Sequence, residues 1–134
     1  MTKETINPEA LYESVQMGFS HAVKSDGQVT IHCSGQVAWD KDHNLVGAGD
    51  VGEQARQALA NLKVVLEAAG AQVSDIVRLR TYVVNHNPSL LEPIGQAIGE
   101  FYGDVMPAAN TWIGVQALAL PDFLIEIEAT AQIG

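Results

Sequence analysis

One stretch of this chain reads as a helix and little else. Asp50, with Glu53 three positions later, forms a box-like N-cap, Ala55, Leu59, Leu62, Leu66 and Ala69 recur at helical spacing, and Gly70 supplies the stop. A helix with one apolar stripe must bury that stripe against another layer. Much of the sequence on either side alternates with period two, so that layer is a sheet.

Short apolar runs from Phe19 to Val23 and from Gln28 to Val37 flank Ser25-Asp26-Gly27, the signature of a hairpin with an Asp-Gly turn. In the second run Val29, Ile31 and Cys33 share one face and Thr30, His32 and Ser34 the other. A strand is expected over Ile76–Val84, with Arg78, Arg80 and Tyr82 on one face and Val77, Leu79 and Val83 on the other. A second helix is expected from about Ser89 to Tyr102; its first turn accepts Pro93, whereas Gly95 and Gly99 each cost it ~1 kcal/mol against Ala, so packing must hold it. Two closing strands, near Asn110–Val115 and Phe123–Gln132, are joined by Leu120-Pro121-Asp122.

This order of two strands, helix, strand, helix and two strands predicts an α+β layer with two helices on one face of a mixed sheet. On the last strand Ile125, Ile127, Ala129 and Ala131 alternate with Leu124, Glu126, Glu128 and Thr130, making one side apolar and the other mixed. A sheet covered on one face, with apolar surface left on the second, predicts self-association.

With 134 residues, no linker and no repeat, the chain is expected to form a single domain over residues 1–134. No apolar run approaches the ~20 residues that span a bilayer, and the opening Met1-Thr2-Lys3-Glu4-Thr5, where Glu4 offsets Lys3 and no apolar core follows, lacks the features of an export signal. A lone Cys33 excludes an internal disulfide, which points to the cytoplasm. The net charge of −9 repels phosphate backbones and anionic lipid, so neither nucleic acid nor membrane is an expected partner.

Gly47-Ala48-Gly49-Asp50-Val51-Gly52 matches a dinucleotide fingerprint in form only, because Asp50 and Glu53 occupy the helix N-terminus where a phosphate would sit. Asp40-Lys41-Asp42-His43-Asn44 opens like a calcium loop, yet Leu45 and Val51 stand where that loop needs Gly and Glu, so it reads as a turn. The histidines at 21, 32, 43 and 86 have no partners at metal-ligand spacing. No metal or cofactor is expected. Ser34-Gly35-Gln36 reads as a bulge that allows close backbone approach, without a nucleophile elbow around Ser34. Glu126 and Glu128 share a face and could divide acid and base roles, or could pair across strands with Arg78 and Arg80. Trp112, Trp39, Phe19 and Tyr82 are candidates for a cleft wall, with core packing the default for each.

Taken together, Ser34-Gly35-Gln36, the helical Gln54-Ala55-Arg56-Gln57-Ala58-Leu59-Ala60-Asn61-Leu62, Pro107-Ala108-Ala109-Asn110-Thr111 and Leu124-Ile125-Glu126-Ile127-Glu128-Ala129 resemble the RidA/YjgF family, also called the endoribonuclease L-PSP family. The resemblance implies a chorismate-mutase-like fold assembled as a homotrimer, its sheets facing inward as a barrel and small-molecule clefts between subunits. It further implies that Glu126 is the cleft glutamate that positions water or an imine nitrogen, that Glu128 is its more structural neighbour, and that Phe19, Ser34, Gly35, Asn110, Thr111 and Trp112 contact ligand. Phe19 stands where the family usually has Tyr.

In that family an Arg two residues after the Pro holds the substrate carboxylate while an amino-acid imine is hydrolysed to a keto acid and ammonium. Here the last Lys or Arg is Arg80. Counting forward from Pro107 puts Ala109 at the Arg position, whereas counting back from Gly114-Val115 puts Asn110 there with one inserted residue, the favoured alignment because strand register is harder to shift than a loop. An amide cannot reproduce a bidentate charged grip. The expected function is therefore ligand binding between subunits, with imine or enamine hydrolysis of a non-standard substrate; the alternative is a non-catalytic metabolite-binding trimer. Endoribonuclease activity is disfavoured by the acidic charge and the lack of an aromatic-basic stripe.

Overall fold

The computed structural model describes every residue from Met1 to Gly134. Six strands and two long helices occur in the order β1 (Lys3–Ile6), β2 (Ala22–Ser25), β3 (Val29–Gln36), α1 (Val51–Ala68), β4 (Ile76–Val84), α2 (Leu91–Tyr102), β5 (Ala109–Val115) and β6 (Ile125–Ile133). The main sheet has the strand order β3-β6-β4-β5; β6 runs antiparallel to both neighbours, and β4 and β5 are parallel. Both helices are thus crossovers between parallel strands, α1 from β3 to β4 past β6 and α2 from β4 to β5. Right-handed crossovers advancing in one direction put their helices on one face of the sheet. The α+β arrangement expected from the sequence is the one observed.

Local chemistry sets the helix ends. The Asp50 carboxylate accepts from the Glu53 amide at 3.1 Å, and the Asp50 amide donates to the Gly47 carbonyl at 2.9 Å, so one half of the anticipated capping box forms. Gly70, at φ +80°, turns the chain out of α1. A 3-10 turn over Pro88–Leu90 leads into α2, with Asn87 Oδ1 accepting from the Ser89 amide at 2.9 Å. Leu59, Leu62 and Leu66 of α1 and Ile94 and Ile98 of α2 close over Leu79, Val83, Ile125 and Ile127, all of them buried. Each such side chain contributes about 1.5–3 kcal/mol relative to exposure, which is how packing holds a helix containing Gly95 and Gly99.

Three expectations change. The Asp-Gly hairpin does not form: β2 pairs with the N-terminal strand β1, Lys3 opposite Ser25 through Ile6 opposite Ala22, while β3 pairs with β6. Asp26 closes the β1–β2 ladder instead, its Oδ1 accepting from the Thr2 amide at 2.6 Å and its amide donating to the Thr2 carbonyl at 3.2 Å. Gly27 lies so close to Gln132 and Ile133 that a Cβ would stand 2.9 and 3.0 Å from them. Second, a register shift between Ile76 and Arg78 sends Ile76, rather than Val77, into the core. Third, the uncovered sheet face is largely polar: His32, Arg78, Arg80, Tyr82, Glu126, Glu128 and Thr130 occupy it, because the apolar alternates of the same strands face the helices.

Candidate functional site

Phe19, Asn110 and Trp112 come together in an open groove of about 860 Å³. Its floor is the face of α2 carrying Glu92, Gly95, Gln96 and Gly99, opposite the buried Ile94, Ala97 and Ile98. A Cβ on Gly95 or Gly99 would meet nothing within 4 Å, so these glycines create space rather than relieve a clash. The second wall is the 3-10 turn Val15–Met17, which ends at Gly18 with φ +96°. Ser20, buried beneath this wall, donates through Oγ to the Pro107 carbonyl at 2.6 Å, and its amide donates to the Ala108 carbonyl at 3.0 Å. Those bonds tie the Phe19 segment to the start of β5 and hence to Asn110. Asn7 braces the same wall, its Oδ1 accepting from the His21 amide at 2.9 Å and from Ser14 Oγ at 3.3 Å.

Asn110 Oδ1 accepts from the buried Thr81 hydroxyl at 3.2 Å, leaving the amide nitrogen free to donate. The Trp112 indole lies 5.8 Å from the His86 ring, centroid to centroid; Trp112 Nε1 and His86 Nδ1 are buried and have no hydrogen-bond partner. Glu92 is the one charged side chain lining the groove, and no cation lines it.

Ser34, Gly35, Thr111 and Glu126 lie away from this groove, at the bulge in β3 and on the polar sheet face. The bulge between Cys33 and Gln36 contains Ser34 and Gly35. A Cβ on Gly35 would stand 2.7 Å from Glu126 Cδ and 2.8 Å from Cγ, so the glutamate lies directly on the glycine backbone. The sequence-level pairing of both glutamates with both arginines is half realised. Arg80 Nη1 lies 3.9 Å from Glu128 Oε1, and the Tyr82 hydroxyl donates to that oxygen at 2.5 Å. This hydrogen bond, with burial and the carboxylate charge adding to it, pushes the Tyr82 phenol above its ordinary range. Arg78 turns instead to Thr111, Nη2 donating to Oγ1 at 2.8 Å, and Glu126 has no arginine partner.

One glutamine aligns the start of β6. Gln54, fully buried at the base of α1, donates through Nε2 to the carbonyls of Gly47 and Asp122, both at 3.1 Å, and accepts through Oε1 from the Leu124 amide at 2.9 Å. Asn61 does the same beyond the bulge, donating to the carbonyls of Val37 and Trp39 at 3.0 and 2.9 Å. The Asp40–Asn44 segment is a turn, with Asp40 Oδ1 accepting from the amides of Asp42 and Asn44, both at 2.9 Å. No three His, Cys, Asp or Glu side chains gather as a metal site, and no helix is long and apolar enough to cross a membrane.

The sequence reading missed the groove's floor and its N-terminal wall. The available signal was the Gly95/Gly99 pair, spaced four apart on one face of an otherwise well-packed helix.

The family model described as endoribonuclease L-PSP matches residues 11–133. A crystal structure of a conserved Rid-family protein from Yersinia pestis superimposes with a TM-score of 0.96 at 57% identity, covering 99% of this chain and 100% of that one. A RutC-family protein of Pyrococcus horikoshii is 33% identical over 114 residues, 84% of this chain and 85% of the relative. A 2-iminobutanoate/2-iminopropanoate deaminase of Dermatophagoides farinae is 33% identical over 100 residues, 75% of each chain. With the fold, the bulge and both halves of the motif-bearing sheet in place, the chain belongs to the RidA/YjgF family, the endoribonuclease L-PSP family.

Proposed function

We propose that the chain is a single-domain, cytoplasmic, small-molecule-binding protein that works as a homotrimer and hydrolyses an imine or enamine without a substrate carboxylate. The observation that carries this reading is the separation of the candidate residues. Phe19, Asn110 and Trp112 line the groove beside α2, whereas Ser34, Gly35 and Glu126 lie at the β3 bulge and on the polar sheet face. A second copy can bring one set against the other, so the ligand cleft would lie between subunits. The name of the mite relative supports the reaction class.

The groove's chemistry supports the substrate class. Asn110 offers a neutral N–H donor, and the one charged lining group is an acid, so a carboxylate would find no counter-charge. In the proposed reaction water adds to the imine carbon as Glu126 accepts its proton. The imine reacts in its protonated form, so this addition gives a neutral carbinolamine. Glu126 returns the proton to the nitrogen, and the C–N bond breaks as the hydroxyl loses its proton to water, releasing ammonia and leaving a carbonyl. The second reading, a non-catalytic binding trimer, draws on the same lack of a cation, which removes the family's usual means of fixing a substrate. The net charge of −9 argues against RNA as substrate.

The test is hydrolysis of freshly generated 2-imino acids and of matched uncharged imines, each beside a bulk-water control, with molecular mass measured on the same sample. Selective acceleration of the uncharged series, lost in Glu126→Gln, is expected. Equal acceleration of the 2-imino acids would overturn the substrate class. No acceleration of either series, with a trimeric mass, would leave the binding reading, and a monomeric mass would defeat the shared cleft.

A further inference from the structure

The polar sheet face contains a second concavity, separate from the α2 groove. It encloses about 320 Å³ and is lined by His32, Cys33, Arg78, Arg80, Glu128 and the β6 residues beside them. The chain has seven Lys and Arg residues against sixteen acids, yet two of its three arginines meet here. With His32 neutral, the lining comprises two cations and one anion, a local balance of +1 inside a molecule of −9.

The two arginines differ in how far the fold satisfies them. Arg56, the third, pairs with Glu100 at 2.8 Å, and Arg80 lies 3.9 Å from Glu128. Arg78 has no carboxylate within ion-pair distance. Its Nη2 is held by Thr111 Oγ1 at 2.8 Å, its Nε is buried without a partner, and its Nη1 makes no hydrogen bond within the chain. Glu128 is drawn away from it, since Oε1 already accepts from Tyr82 at 2.5 Å. Of the remaining acids on this face, Glu126 lies on Gly35 at the other end of the strand, and β5 contributes the uncharged Thr111 and Ile113. A guanidinium that is fixed in place, partly desolvated and unpaired is an anion-binding group.

We propose that this concavity binds a small oxyanion, a sulfate, phosphate or compact carboxylate, gripped by Arg78 and Arg80 with His32 at its rim. All of these groups belong to one protomer, so the site requires neither the trimer nor the hydrolytic reading above. It also assigns the chain's arginines to a role apart from the family's missing one, because Asn110 opens into the α2 groove and Arg78 onto the opposite face.

The test is isothermal titration of the full chain with sodium sulfate against sodium chloride at matched ionic strength, on wild type, Arg78→Gln, Arg78→Lys and Arg56→Gln, with mass and circular dichroism recorded for each. Sulfate also stabilises proteins by exclusion from their surface, so the variant comparison decides rather than any wild-type thermal shift. The expected result is saturable sulfate binding that weakens about tenfold or more in Arg78→Gln, recovers partly in Arg78→Lys, and is unchanged in Arg56→Gln. If Arg78→Gln does not fold, Arg80→Gln is held to the same expectation of weakened binding. Sulfate heats no different from chloride would overturn the proposal, as would binding unaffected by loss of the tested arginine. An altered mass in Arg78→Gln with sulfate affinity retained would also overturn it, and would assign Arg78 to a contact between copies.

Discussion

Replacing Gln54 by Leu keeps the side chain's bulk and removes its polar end. Two backbone groups then lose their only partner, the carbonyl of Asp122 and the amide of Leu124, while the Gly47 carbonyl keeps the Asp50 amide at 2.9 Å. A buried polar group left unsatisfied costs about 1–3 kcal/mol. Water can reach part of the loop, so the net loss should be about 2–4 kcal/mol rather than the full sum. Unfolding entropy of about 2.1 cal/mol/K per residue gives about 0.28 kcal/mol/K for 134 residues, and the melting temperature should fall by about 7–14 °C. Differential scanning calorimetry of wild type and Gln54→Leu measures this directly. Because Leu124 leads straight into β6, the variant should also lose order at Glu126, visible as weakened protection of the β6 amides in hydrogen exchange. A melting temperature lowered by less than about 3 °C, with β6 protection intact, would refute the argument that one glutamine clamps these loops.

Gly35→Ala should displace the Glu126 carboxylate while costing only about 1–3 kcal/mol, since the clash is with a flexible side chain; a crystal structure with Glu126 unmoved would contradict this. Asn110→Arg should introduce a cation into the α2 groove and bind small carboxylates at least about tenfold more tightly than wild type, read by titration with a 2-keto acid; unchanged affinity would show that the groove's neutrality does not set ligand charge. The Tyr82 phenol is raised above its ordinary value of 10.0, first by its hydrogen bond to Glu128. Stability from this source is present below pH 10.0 and lost as pH climbs through the folded-state value. Tyr102, raised by burial, acts in the same direction. Urea titrations should therefore show a smaller alkaline loss of stability in Tyr82→Phe than in wild type, and an identical loss would place the titration elsewhere.

Local sequence patterns carried most of the architecture. Asp50 and Gly70 bracket α1, Ile76–Val84 is a strand over its whole expected length, and the alternation after Leu124 separates the helix-facing apolar set from the polar set. These features depend on neighbours within a few positions, where spacing alone decides which face a side chain takes. The candidate site was legible only as a set of residue types. Its partition into an α2 groove and a polar face follows from long-range pairings: Ser20 with Pro107, Gly35 with Glu126, Arg78 with Thr111.

The misread parts fail for the same reason. Ser25-Asp26-Gly27 has the residues of a hairpin turn, but β2 finds its hydrogen bonds in β1 and β3 finds them in β6. The polar second face likewise depended on which alternates turned toward the helices. By itself the sequence determined the element types, their order and the amphipathic faces, because periodicity and caps are properties of a local backbone. Only the tertiary structure decided which strands are neighbours, where the bulge at Ile76–Arg78 falls, and which arginine is left without a carboxylate. Those outcomes depend on contacts between residues far apart in the chain, and local propensity does not encode them.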